Sequence, residues 1–174
     1  MIRFFRIATF FFIFFFLTAK IHAQSNYILP YPSSMPGSFA YKFHLVFENI
    51  SKYWYFGDFG EFDYNLKMAD KYLVEAKTLF EYKQYLLGYK SLQKSDFYFS
   101  KVLPSIVKAE DNNKNISQKK LILKDAALKH IETLEKIEID IPDTFNWQPE
   151  KVLPTTLHLK KAIVQSIILR KNDL

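Results

Sequence analysis

The sequence predicts an all-α protein, a small bundle of four or five helices organised around one antiparallel helical hairpin spanning residues 61–103. Three observations carry this. Phe62, Leu66, Ala69, Leu73, Ala76 and Phe80 recur at spacings of three and four, which places them on one helix face. Tyr85, Gly88, Leu92, Ser95, Phe99 and Leu103 repeat the pattern further on. The small residues sit seven apart in each run, and a fold-back near Tyr82 sets Ala76 against Gly88, Ala69 against Ser95, Leu73 against Leu92 and Leu66 against Phe99. One register satisfies every pair, with small residues where backbones approach and large ones between them.

The remaining elements follow in chain order. Residues 1–23 read as a secretory signal peptide, with Arg3 and Arg6 before an apolar run from Ile7 to Leu17 and a cut after Ala23. As a helix that run would reach only about 20 Å, too short for a bilayer core, so the mature protein is expected to have no transmembrane segment. Residues 24–37 form an extended lead-in with prolines and serines. The helical domain runs over 38–170. Its first helix is capped by Ser38 or Gly37 and places Phe39, Phe43, Val46, Phe47, Ile50 and Trp54 on one face. Gly57 and Gly60 break the chain, and Asp58 with Glu61 offers a capping box for the second helix. The hairpin turn, Glu81 to Gln84, contains neither glycine nor proline. Pro104 ends or kinks the third helix. A fourth helix, from about Ser117 to Ile137, points Leu121, Leu128, Ile131 and Leu134 inward. Residues 139–154 are irregular, held by Pro142, Pro149 and Pro154, with Phe145 and Trp147 covering the core end. A last helix from about Thr155 to Arg170 shows Leu157, Val164, Ile167 and Ile168 and ends in Arg170 and Lys171, cations suited to the negative end of its dipole. Residues 171–174 are a short tail.

Composition narrows the function classes. The net charge is +6, but Arg3, Arg6 and Lys20 of the leader supply half of it, so nothing argues for a nucleic-acid partner. There is no cysteine, which excludes disulfides, thiol catalysis and cysteine–metal sites.

Several stretches resemble an uncharacterised bacterial family of exported helical domains, a domain of unknown function. They are Leu29-Pro30, Pro36 through Lys42, Tyr53 to Phe56, and above all Leu66 to Ala76; Lys129 to Lys136 and Leu157 to Ala162 are similar to the family's later helices. The chain departs from the family pattern at Gly57-Asp58, where an Asp-Pro pair is usual, and in its glycine-free hairpin turn. The resemblance implies export and a helical fold, and it brings no catalytic residues.

No catalytic, metal or cofactor constellation is expected. His22 leaves with the leader, and His44, His130 and His158 never fall within one helix turn of one another, so they form no ligand pair. His44 lies beside the apolar face of the first helix and is expected to be partly buried. No nucleophile elbow or phosphate-binding glycine loop is present. The candidate binding surface is Tyr53, Trp54, Tyr55, Phe56 and Phe59, since four consecutive aromatics at a helix end cannot all face a core. The expected function is a non-enzymatic exported binding or scaffold domain with a protein or cell-envelope partner. The alternatives are an extracytoplasmic chaperone or stress sensor, needing exposed apolar surface on the hairpin, and a cell-wall hydrolase, needing two acids in a cleft.

Overall fold

The hairpin is the axis of the computed structural model, which describes residues 25–32, 34–151 and 153–174. The leader reading of residues 1–23 falls outside the described residues. Helix α1 covers Phe39–Ser51, followed by a 3₁₀ turn at Lys52–Trp54. Helices α2 (Gly57–Glu81) and α3 (Tyr85–Phe99) form the hairpin. Then come α4 (Val102–Asp111), α5 (Ser117–Asp140), a two-stranded antiparallel ribbon of β1 (Thr144–Trp147) and β2 (Thr155–His158), and α6 (Leu159–Lys171). The protein is an all-α helical bundle.

The Ala69–Ser95 pair of the predicted register is present, whereas the nearest neighbour of Gly88 is Phe80. Ser95 Oγ donates to the Ala69 carbonyl at 2.8 Å, a close approach that only a small side chain permits. Gly88 lies under the Phe80 ring, where even a β-carbon would stand 2.8 Å from the ring. The glycine-free turn closes because Lys83 itself adopts the left-handed conformation (φ 58°). Its N–H donates to Phe80 O at 2.9 Å and that of Gln84 to Leu79 O at 2.8 Å, the paired bonds of a Schellman cap. Asn113 (φ 56°) ends α4 in the same way.

Two apolar clusters flank the middle of the hairpin. Phe62, Leu66 and Phe99 gather Val102, Ile106 and Leu123 from α4 and the start of α5. Leu73, Phe80 and Leu92 gather Ile131, Leu134 and Ile163 from the rest of α5 and from α6. The lead-in lies against α2 and α5, with Ser25 Oγ donating to Asp125 O and the Tyr27 hydroxyl to Asp70, each at 2.7 Å.

Several local expectations are corrected. Asp58 and Glu61 form no capping box: α2 has no side-chain N-cap, and both carboxylates turn to Lys108 instead. Pro104 sits in the first turn of α4, where no helical N–H is required of it. Leu121 is exposed, and α5 buries Leu123, Ala126, Ala127 and His130. Part of the irregular stretch pairs as β1, and Thr155 opens β2 rather than a helix. Leu157 and Phe145 pair across that ribbon and both pack on the second cluster, whereas Trp147 stays largely outside it. Val164 and Ile168 are exposed, while Leu159, Ile163, Ile167 and Arg170 face inward.

Candidate binding surface

The buried polar groups decide whether the interior holds chemistry. Between the two clusters lies one layer of charge: Asp70 on α2, Ser95 and Asp96 on α3, His130 on α5 and Arg170 on α6. His130 Nε2 is 2.6 Å from Asp70, and Arg170 Nε donates to His130 Nδ1 at 3.0 Å. An accepting Nδ1 fixes the proton on Nε2, so the imidazole is neutral and donates to Asp70. Burial is the main cause that pulls its pKa below the ordinary value, with the Arg170 charge acting in the same sense and Asp70 against it. Arg170 is fully buried rather than a surface dipole partner. Its guanidinium donates to Asp96 at 2.6 Å, to Ser166 O at 2.9 Å and to Ser95 Oγ at 2.9 Å, and lies over the Phe99 ring. Both imidazole nitrogens are thus engaged within the protein and neither faces solvent. The layer ties α2, α3, α5 and α6 together through hydrogen bonds. Among the described residues, no group of three or more His, Asp or Glu is placed to hold a metal.

The surface holds the more unusual arrangement. Helix α1 turns its apolar face outward. Phe39, Phe43, Val46, Phe47 and Ile50, which the sequence places on that face, are 50–80% exposed, and Trp54 is 62% exposed. His44 is exposed as well. The opposite, polar side of the helix faces α2. Tyr41 donates to Glu75 Oε1 at 3.2 Å, and Glu48 accepts from the Tyr72 hydroxyl at 2.9 Å and pairs with Lys71. The Tyr64 hydroxyl reaches the Glu48 carbonyl at 3.4 Å.

The physical reason lies on α2, whose side facing α1 carries Tyr64, Lys71, Tyr72 and Glu75. A row of phenylalanines laid there would strip water from a carboxylate and an ammonium without replacing their hydrogen bonds. Burial and the Glu75 charge push the Tyr41 hydroxyl up to about 12, and burial lowers Lys71. Both shifts mark a shielded polar seam. No side chain of α1 joins the apolar clusters. Outside, Phe39 and Phe43 pack edge to face at 5.1 Å, as do Phe47 and Trp54 at 5.6 Å, and Phe39, Phe43 and Phe47 line one shallow depression with Val46 and Ile50.

The five predicted surface residues divide into two roles. Tyr53 (74%), Trp54 and Phe56 (82%) are exposed and extend the α1 face. Tyr55 is half-buried, tilted against the Tyr64 ring at 5.6 Å, with its hydroxyl accepting from Lys67 at 3.1 Å. Gly60 makes that seating possible, since a β-carbon there would stand 2.7 Å from the Tyr55 backbone. Phe59 is also half-buried and packs on the first cluster. Beside the turn opens a cleft of about 520 Å³ walled by Tyr55, Tyr64, Phe97 and Tyr98, with Lys52 and Lys101 among its lining residues.

No family model, curated protein or solved structure matches this chain. Among the described residues, no helix is long and apolar enough to cross a membrane.

Proposed function

We propose that this protein is an exported, non-enzymatic binding domain that engages its partner through the outer face of α1 and the aromatic turn after it. The observation that carries the reading is the orientation of α1. Its polar side is consumed by the body of the protein, and its aromatic side is left facing water. Contiguous apolar surface of this kind marks an interaction site, because leaving it wet is unfavourable. Asp70, His130 and Arg170 are committed to one another in the interior, which supports a binding rather than a catalytic role. The exposed apolar residues gather on α1 rather than on the hairpin, which favours a docking helix over a hairpin chaperone. The leader-like character of residues 1–23 supports export.

The test is the double variant F43S/F47S, expressed in the native host beside the wild type. Both side chains are exposed, so helicity and thermal stability should stay as in the wild type. Association with the cell-envelope fraction should fall. Retention of full envelope association by a folded F43S/F47S protein would overturn the reading.

A further inference from the structure

We infer that the surface α1 engages is the headgroup region of an anionic lipid bilayer, an inference that rests on the docking role proposed above. Three features of the face select this occupant over a protein. The first is its chemistry. Phe39, Phe43, Val46, Phe47 and Ile50 are joined on this face by His44 as its one hydrogen-bonding side chain, whereas protein interfaces ordinarily carry a hydrogen bond per 100–200 Å². A bilayer boundary requires only an apolar stripe with a polar body behind it, and here the body supplies the polar side. The second is the position of Tyr53 and Trp54 at the end of the helix, because such rings favour the headgroup level.

The third is charge. Glu48 is the sole acid of α1, and it is paired inward with Lys71. Among the described residues Lys42 and Lys52 carry no ion pair; Lys42 is exposed on α1, while Lys52 lines the neighbouring cleft that also holds Glu61, so the outer side of the helix itself offers a cation and no free acid to whatever lies opposite. Anionic headgroups complement that pattern.

Trp54 allows a local readout. The chain has two tryptophans, and Trp147 lies on β1, so W147F leaves Trp54 as the only indole. With W147F protein and phosphatidylglycerol vesicles, Trp54 emission should shift to the blue and be quenched by brominated acyl chains. Phosphatidylcholine vesicles or high salt should weaken the response roughly tenfold. K42E/K52E should weaken it at least as much, and F43S/F47S should remove it, both with unchanged helical circular dichroism. Unchanged Trp54 emission with phosphatidylglycerol overturns the lipid assignment. If F43S/F47S still loses envelope association in that case, the docking role stands with a protein as partner. An equal response on both lipids overturns the anionic component. A lipid-free dimer broken by F43S/F47S would assign the face to a second copy.

Discussion

Acidification should destabilise this protein well above the range in which carboxylates ordinarily titrate, and His130 is the reason. Its imidazole is fully buried and held neutral, with Nδ1 facing the Arg170 guanidinium at 3.0 Å. Protonation would turn that acceptor into a donor aimed at a cation. Its folded pKa is therefore depressed from the ordinary value of 6.5, by burial first and by Arg170 in the same sense. The sign follows from linkage. Below 6.5 the unfolded chain binds a proton that the folded chain refuses, so stability is full above that pH and is lost as pH falls. Each unit below 6.5 over which His130 stays neutral costs about 1.4 kcal/mol, so a fall from about pH 6.5 to about pH 5 removes up to ~2 kcal/mol. That is a substantial share of an ordinary domain's ~5–15 kcal/mol. Urea unfolding followed by circular dichroism at half-unit steps from pH 7.5 to 5 measures the slope. Asp173 works in the opposite direction, since burial raises its carboxyl, and repeating the series on D173N separates the two. H130N should be less stable at neutral pH yet lack the slope. A flat profile in the wild type, or the same slope in H130N, would refute the neutral buried imidazole.

The hairpin supplies two further predictions. G88L forces a side chain into the Phe80 ring, which a β-carbon alone would approach to 2.8 Å. Overpacking at the upper part of the ~1–3 kcal/mol range, less about 0.8 kcal/mol of helix propensity gained, leaves a net loss near 2 kcal/mol, read as a fall of roughly 4–8 °C in Tm. Lys83→Gly should do the reverse. It relieves about 1–2 kcal/mol of left-handed strain against about 0.4–1 kcal/mol of added unfolded-state freedom, so Tm should rise by a few degrees, and a fall would refute the Schellman turn.

What the sequence by itself determined is the hairpin. Its register is a local matter: residues three and four apart share a helix face, and small residues must meet where two backbones approach. Ala69, Ser95 and Gly88 therefore announced the packing before any coordinates did. The exposure of Tyr53, Trp54 and Phe56 was legible too, because consecutive aromatics on a helix end point in several directions. Periodicity shows that α1 has an apolar side but not which way that side points. The direction is set by what stands opposite, and Tyr64, Lys71, Tyr72 and Glu75 become its opposite wall only after the chain has turned back at Gly57. The charged layer was hidden for the same reason. Asp70, Asp96, His130 and Arg170 span a hundred residues of sequence, and each alone reads as an ordinary polar helix position. Thr155 to His158 became a strand through pairing with Thr144 to Trp147, a partner that no local propensity records. Only the tertiary structure decided these points. The free energy of a buried charge or of an apolar face depends on the groups brought against it across long stretches of chain, and a periodic pattern carries no information about those.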